Sequence, residues 1–224
     1  MGESAKAPAT GPIKLFHFSD VHFGLEDRVA IDWVKNRIRA ERPDAVAITG
    51  DLTMRARHKE FDAAREWIRS LGVPVTVEIG NHDMPYFNPL ERIIDPYKRF
   101  RTMDAVLEKV MDLGGVTIVP LKTTARAQWR TNWSKGCITR PALAKTLAMI
   151  DALPKGTRVL ISAHHPLVEV NAKGDVLTTR GAEALEELAK RKVLGVMSGH
   201  VHDPFDLIEQ TVCGPVRMIG AGTL

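Results

Sequence analysis

The sequence predicts an α/β domain with a layered sheet, because short apolar runs and amphipathic helical stretches alternate along the chain. Residues 13–18 and 45–49 are apolar runs of strand length, and residues 27–40 between them carry apolar side chains at helical spacing. Each run ends abruptly at a polar cluster, the first being Ser19-Asp20-Val21-His22. This order of strand, polar loop and helix favours a sheet whose strands end at a common edge.

The first part of the chain contains three predicted strands and two predicted helices, and each helix has its own end signal. The helix over residues 27–40 stops before Pro43, because proline cannot continue a helix. The helix over residues 61–71 stops at Gly72, a residue type that favours the left-handed conformation found at helix C-termini. The predicted strands are residues 13–18, 45–49 and 73–79.

The second part of the chain begins with a predicted long helical stretch over residues 88–113, which Pro96 interrupts and Gly114-Gly115 closes. Residues 116–138 are predicted to form short strands that carry Trp129 and Trp133. The remaining predicted elements are a helix at 141–153, a strand at 158–163, a helix at 181–192, a strand at 193–197, and a terminal hairpin at 205–224.

Composition and charge place the chain among ordinary water-soluble proteins. Its 224 residues suit one domain, predicted to span residues 13–224, after a small, polar and flexible tail at residues 1–12. A net charge of +4 favours an anionic substrate but falls far short of a nucleic-acid-binding signature, so no nucleic-acid polymer is expected as a partner. No run approaches the ~18 apolar residues of a transmembrane helix. Two cysteines are too few for a disulfide framework. Proteins with so few cysteines are typical of the reducing cytosol, so we expect a cytoplasmic protein.

Polar clusters that contain metal-ligand residue types follow five of the predicted strands. Since strand ends of an open α/β sheet line its ligand crevice, we expect these clusters to meet at one edge. Asp20 and His22 are two residues apart on a segment predicted to be extended, which points both side chains to the same side. The seven candidate ligands are Asp20, His22, Asp51, Asn81, His164, His200 and His202.

Seven ligands are more than one metal ion needs, so two ions that share a carboxylate fit the count. Carboxylate and amide oxygens with imidazole nitrogens suit divalent ions such as Mn, Fe or Zn. Two such ions can hold a phosphoryl group and lower the pKa of a water molecule toward neutrality. A single Asp-x-His or Gly-Asp pair is common by chance, whereas five ordered clusters at strand ends are not. Two other histidines, His17 and His58, are predicted to be structural and on a helix surface, respectively.

These motifs resemble those of the calcineurin-like metallophosphoesterase superfamily. The matching stretches occur in the family order and span residues 20–202. They are Asp20-x-His22, Gly50-Asp51, Gly80-Asn81-His82-Asp83, His164-x-Pro166 and Gly199-His200-x-His202. The resemblance implies a four-layer α/β/β/α sandwich, which agrees with the alternation of strands and helices. It also implies hydrolysis of phosphate esters by attack of a hydroxide that bridges two metal ions.

The resemblance assigns a role to each matching residue. Asp51 would bridge both ions. Asp20, His22 and His202 would hold the first ion, and Asn81, His164 and His200 the second. His82 matches the catalytic histidine, which could donate a proton to the leaving oxygen. Asp83 could orient that imidazole and raise its pKa. His165 matches no ligand position and could either support a ligand or face the substrate.

Within the superfamily, the motifs look most like the bacterial class III cyclic-nucleotide phosphodiesterase group. The Asp-Arg-Gly motif of protein Ser/Thr phosphatases is replaced by Met54-Arg55-Ala56, which disfavours that class. The expected function is therefore a small-molecule phosphodiesterase. The alternatives are a UDP-lipid pyrophosphatase, a DNA exonuclease and a catalytically silent interaction scaffold. Some relatives dimerise through a C-terminal segment beyond the last motif, so a homodimer also stays open.

Two segments between the motifs are predicted to determine substrate choice, namely residues 86–101 and 129–140. Arg92, Tyr97, Arg99 and Arg101 could each reach a second phosphate or a base. The alternative, which we favour from sequence alone, is that these four residues form ordinary helix surface.

Overall fold

In a computed structural model of the chain, residues 11–86, 88–129, 132–169 and 178–224 are described. Of the predicted flexible tail, only Gly11 and Pro12 belong to these residues, so that prediction lies outside the described part of the chain. Arg130 and Thr131, in the second predicted substrate segment, also lie outside it.

The first sheet is a small parallel sheet covered by two helices. Strand order is β1 (Leu15–Phe18), β2 (Ala45–Ile48) and β3 (Val75–Val77). Helices α1 (Arg28–Glu41) and α2 (His58–Leu71) pack their apolar faces on one side of this sheet. Asp27 caps α1 by accepting hydrogen bonds from the first-turn amides. Gly72 ends α2 with a φ of 69°, and this end was predicted.

The second sheet is larger and mixed. Its order is β4 (Met111–Asp112), β5 (Val116–Leu121), β6 (Arg158–Ala163), β7 (Gly195–Ser198), β9 (Gly214–Gly220) and β8 (Phe205–Thr211). The inner strands β5, β6, β7 and β9 are parallel, whereas β4 and β8 pair antiparallel at the edges. Helices α4 (Arg140–Asp151) and α5 (Gly181–Lys190) pack on the outer face.

The two sheets pack against each other, which confirms the four-layer α/β/β/α sandwich. Successive side chains of a strand point to opposite faces. In β2, Val46 and Ile48 therefore face the helices, while Ala45 and Ala47 face the second sheet, where they meet Ile118. Small alanine side chains allow a close approach of the sheets in this middle layer.

The prediction of a long helix over residues 88–113 was wrong. This segment forms a six-residue helix α3 (Pro89–Ile94), a 3-10 helix (Phe100–Met103) and strand β4. Pro96 lacks an amide donor and so ends the helical hydrogen bonding near Asp95. Strand β4 forms because the turn at Gly114, with φ of 77°, brings it back to pair with β5. Such pairing is a tertiary effect that local spacing does not reveal.

The predicted short strands over residues 116–138 are reduced to β5 and an isolated bridge at Cys137 in the described part of this segment. Trp129 and Trp133 lie outside regular strands. The terminal hairpin is confirmed as β8 and β9. Among the described residues, no helix combines the length and apolar character needed to cross a membrane.

Candidate metal centre

The carboxyl ends of strands from both sheets meet at one edge of the sandwich. Hydrogen bonds join the sheets there. For example, His164 Nδ1 lies 2.7 Å from the Thr49 carbonyl oxygen, and the Leu224 amide donates to the Ser19 carbonyl at 3.2 Å. His164 follows β6 in the second sheet, whereas Thr49 follows β2 in the first. Residues that are far apart in sequence therefore come together, as the strand-end positions predicted.

One group of candidate ligands surrounds the Asp20 carboxylate. Its atom Oδ1 lies 3.3 Å from His202 Nε2 and 3.8 Å from His22 Nε2. The other oxygen, Oδ2, accepts a 2.9 Å hydrogen bond from the His200 amide. Oδ1 is buried and accepts no hydrogen bond from any described residue. An unpartnered buried carboxylate oxygen beside two imidazoles fits a divalent cation, because a buried charge is otherwise costly.

A second group centres on His164. Its Nε2 atom lies 3.1 Å from Asn81 Oδ1 and 3.3 Å from Asp51 Oδ2, and the His200 ring packs 5.1 Å away, centroid to centroid. Ligand atoms of Asp20, Asp51 and His164 all lie within 4.8 Å of one another. Asp51 therefore contacts His164 of the second group and lies within 4.8 Å of Asp20 in the first, which is a position that a bridging carboxylate could occupy.

The protonation states around Asp51 suit a cation site. Because the Thr49 carbonyl can only accept, His164 donates from Nδ1, and Nε2 is the nitrogen that lies toward Asp51 and Asn81. Burial opposes a charge on His164, but the charge and hydrogen bond of Asp51, the charge of Asp20 and the hydrogen bond to Thr49 together outweigh burial and raise the pKa of His164 to about 9. Burial lowers the pKa of His200 to about 4, so this imidazole is neutral and able to ligate. The negative potential that attracts a proton to His164 also attracts a divalent ion.

Five of the seven candidate ligands have left-handed backbone conformations, which are uncommon for residues other than glycine. Their φ angles are 55° for Asp20, 53° for His22, 49° for Asp51, 69° for His200 and 63° for His202. The prediction that Asp20 and His22 lie on an extended segment was therefore wrong. They approach each other because the chain turns sharply after β1, and such strain is concentrated at functional sites.

Two glycines of the motifs leave room for the ligands. A Cβ atom on Gly80 would lie 2.0 Å from Asp51 Oδ1, and one on Gly199 would lie 2.7 Å from Asp20 Oδ2. Neither position can carry a side chain without displacing a carboxylate of the site. The Gly-Asn-His and Gly-His-x-His motifs therefore need glycine for close approach.

His82 lies beside the ligand groups, as predicted, but a different group orients it. Its Nδ1 atom lies 2.8 Å from the Met54 carbonyl oxygen, so this nitrogen donates and Nε2 is left toward the site. The ring stacks edge-on against His22, with centroids 4.9 Å apart. The prediction that Asp83 orients the imidazole was wrong, because the hydrogen bonds of that carboxylate go elsewhere.

Asp83 joins the loops that follow β2 and β3. Its carboxylate accepts hydrogen bonds from the amides of Leu52, Thr53 and Gly80 at 3.2, 2.8 and 2.9 Å, and from the Thr53 hydroxyl at 3.0 Å. Burial, followed by the nearby Asp51 charge, raises the pKa of Asp83 to about 6. Asp83 thus holds the segments that carry Asp51 and Asn81 in place.

We expect Asp83→Ala to lower the free energy of unfolding by about 3 kcal/mol or more, because three amides would lose their buried partner. Urea unfolding followed by circular dichroism measures this change. Asp32→Ala, on the exposed face of α1, is the matched control and should stay within about 0.5 kcal/mol. If Asp83→Ala has the free energy of unfolding of the native chain but loses activity, then Asp83 acts on the His82 imidazole after all.

The His165 ring packs against the rings of His164 and His200, with centroids 4.6 and 4.4 Å away. It is buried, and its Nε2 donates to the Ser134 carbonyl at 2.7 Å while its Nδ1 accepts from the Thr123 hydroxyl at 2.8 Å. Burial keeps the pKa of His165 well below its ordinary value, so the ring is neutral. Both nitrogens are occupied by protein groups, which favours a supporting role over contact with substrate.

The two remaining histidines match their predicted roles. His17 Nε2 lies 3.0 Å from the Thr49 hydroxyl oxygen, and burial lowers its pKa to about 4. His58 is exposed at the first turn of α2.

A cavity of about 880 Å³ opens beside the ligand groups. Its lining combines Asn81 and His82 of the site with side chains from both predicted substrate segments. The lining residues are Met54, Arg55, Asn81, His82, Pro85, Tyr86, Pro89, Arg92, Asn132, Trp133 and Ser134.

Of the four candidates for substrate contact, Arg92 alone lines the cavity. Tyr97 donates its hydroxyl to the Thr124 carbonyl, Arg99 pairs with Glu91, and Arg101 pairs with Asp95. The expectation of ordinary helix surface was wrong for Arg92, which is only 6% exposed.

Sequence reasoning missed several groups that position the site. The carbonyl oxygens of Thr49, Met54 and Ser134 fix the imidazoles of His164, His82 and His165. Backbone carbonyls have no side-chain signature, so no sequence signal could identify them. Trp133 was predicted to lie in a strand, which was wrong. It also belongs to one of the two segments predicted to determine substrate choice, and it does line the cavity.

Residues 13–204 match the family model of calcineurin-like phosphoesterases. The chain is 28% identical over 201 residues to the glycerophosphodiester phosphodiesterase GpdQ of Enterobacter lignolyticus, a match that covers 85% of this chain and 66% of the relative. It is also 28% identical over 177 residues to a probable cyclic nucleotide phosphodiesterase of Synechococcus sp., which covers 77% of this chain and 63% of the relative. The chain thus spans slightly less than two thirds of the length of these relatives.

The fold also resembles that of a dimetal phosphatase from Danio rerio, whose crystal structure superimposes with a TM-score of 0.68. The superposition covers 94% of this chain and 87% of that chain, at 15% sequence identity. The likeness concerns the fold alone.

Proposed function

Because the chain belongs to the calcineurin-like phosphoesterase family, we propose that it hydrolyses small-molecule phosphodiesters with two divalent metal ions. The observation that carries this proposal is the position of Asp51, which contacts His164 and lies within 4.8 Å of Asp20, between the two groups of ligands beside the cavity. When bound, such ions supply Lewis acidity and lower the pKa of water toward neutrality. The names of both relatives, each a phosphodiesterase, support a diester over a monoester.

The proposed ligand sets follow the two groups of side chains. Asp20, His22 and His202 would hold one ion and Asn81, His164 and His200 the other, with Asp51 between them. Oxygen and imidazole donors of this kind accept Mn, Fe or Zn.

His82 is the proposed proton donor. Its Nδ1 donates a hydrogen bond to the Met54 carbonyl, so Nε2 is the nitrogen left to act on a substrate. His82 lines the cavity in which we place that substrate. When protonated, it can donate to the leaving oxygen as the phosphoester bond breaks. The amide of His82 also donates to Asp51 Oδ1 at 2.8 Å, which links the donor to the metal centre.

We also infer a reducing, cytoplasmic setting, which is supported by the two unpaired cysteines, Cys137 and Cys213. We also propose that residues 13–224 form a single domain, and that the protein can form a homodimer. Analytical ultracentrifugation of the full chain would decide the oligomeric state.

The function is tested by hydrolysis of bis-p-nitrophenyl phosphate and of p-nitrophenyl phosphate. We expect cleavage that needs added Mn²⁺, is abolished by a chelator, and favours the diester in kcat/KM. Mass spectrometry of the native protein, loaded with Mn²⁺ and then dialysed, should find about two equivalents of metal per chain. Readdition of Mn²⁺ after chelation should restore the lost activity, which separates metal loss from unfolding.

A folded protein that cleaves neither ester with Mn²⁺, Fe²⁺ or Zn²⁺ would contradict the proposal and favour the interaction scaffold. A preference for the monoester would contradict the diester assignment alone.

A further inference from the structure

We propose that Arg92 forms a second anion-binding subsite in the cavity beside the metal centre. It would select substrates that carry a further phosphate or carboxylate group away from the scissile phosphoester. The inference deepens the proposed hydrolase function and rests on it, because Arg92 shares the cavity with Asn81 and His82.

Arg92 is a buried cation that has no counter-ion among the described residues. Arg92 belongs to α3 and is only 6% exposed to solvent. Its contacts within residues 11–86, 88–129, 132–169 and 178–224 include no carboxylate. Burial consequently lowers the pKa of the guanidinium, which still stays charged at neutral pH. Buried charges in proteins are normally paired, so an unpaired one on a cavity wall indicates that a ligand supplies the anion.

The contacts of Arg92 leave one edge of the guanidinium for such a ligand. Nε donates to the Arg126 carbonyl at 3.3 Å, and the Trp133 ring covers one face at 5.7 Å from its centroid. These contacts fix the plane of the group and leave the two terminal nitrogens without a hydrogen bond to a described residue. A planar pair of donors of this kind matches the two oxygens of a phosphate or carboxylate.

Other cations near the cavity are less suited to the role. Arg99 bonds both Glu91 and the Ala56 carbonyl, and Arg101 is paired with the Asp95 carboxylate. Arg55 also lines the cavity but is exposed, and an exposed charge binds an anion weakly because water and salt screen it.

Two series of inhibitors of matched chain length test the subsite. Alkylphosphonates carry one anionic group, which the metal centre can bind, and alkane bisphosphonates carry a second at the far end. We expect the native protein with Mn²⁺ to bind a bisphosphonate of suitable length about tenfold or more tightly than the matching monophosphonate. Isothermal titration calorimetry measures this ratio without turnover, so the result does not depend on the proposed hydrolysis.

Arg92→Met should reduce this ratio to about one, while Arg101→Met, which removes a paired surface arginine from the same segment, should leave it unchanged. Circular dichroism of both variants reports whether they stay folded, and Arg92→Lys, which keeps the charge, should retain part of the ratio.

The proposal is overturned if no bisphosphonate binds more tightly than its monophosphonate. It is also overturned if Arg92→Met weakens both series equally, since Arg92 would then contact the group at the metal centre or act only in folding. Failure of the native protein to hydrolyse any phosphoester would instead overturn the hydrolase function, and the calorimetric ratio distinguishes the two outcomes.

Discussion

Asp51→Asn is expected to lower kcat/KM for phosphodiester hydrolysis by about 10³-fold or more and to release at least one metal ion. The substitution keeps an oxygen that can accept the His82 amide bond, so the local fold is preserved while the shared negative charge is lost. Steady-state assays at saturating Mn²⁺ and metal analysis of the dialysed protein measure both effects. Asn81→Ala should also lower activity, because it removes a proposed ligand of the second group.

The matched control for Asp51→Asn is Asp44→Asn, at an exposed carboxylate that bonds the Lys14 amide far from the site. We expect native activity and metal content from this variant. Normal turnover by Asp51→Asn or Asn81→Ala would mean that the two-ion assignment is wrong.

His82→Ala is expected to lower kcat by about 10²- to 10⁴-fold without loss of bound metal. The imidazole stands beside the ligand groups and is held by the Met54 carbonyl, so its removal eliminates a proton donor but no ligand. Substrates with a good leaving group, such as p-nitrophenyl esters, need less protonation. The loss should therefore be larger for alkyl esters, and a comparison of the two ester types measures the effect.

His58→Ala is the matched control for His82→Ala, because His58 is exposed on α2 and lies outside the cavity lining. Equal losses for aryl and alkyl esters in His82→Ala would assign the residue to charge stabilisation instead of proton donation.

Most of the layered fold could be predicted from local sequence, because most of its helices and strands carry their own signal. Asp27 before α1, Gly72 after α2 and the apolar run of β6 all act on neighbouring residues. Strand β4 is different, since Met111 and Asp112 form a strand only through pairing with β5. Its formation depends on a partner that local periodicity cannot identify.

The side chains that gather at the strand ends could be predicted from the sequence because their residue types carry the signal, while their local geometry could not. Asp83 illustrates the difference: its place beside His82 in sequence suggested contact, yet its carboxylate binds three backbone amides. Arg92 illustrates it again, because a charged residue on a short helix is usually exposed. Its burial follows from Trp133 and the Arg126 carbonyl, which are distant in sequence.

The left-handed backbone at five candidate ligands lowers the stability of the folded chain. Each such residue costs about 1 kcal/mol, and their sum approaches the ~5–15 kcal/mol that keeps a typical domain folded. Glycine at these positions would relieve the strain, as it does at Gly50, whose φ is 99°. Selection for heat resistance alone would therefore favour replacement of Asp20, Asp51 or His200, the residues that the proposed function assigns to metal binding. A directed-evolution library for this chain should hold those positions constant and seek stability elsewhere.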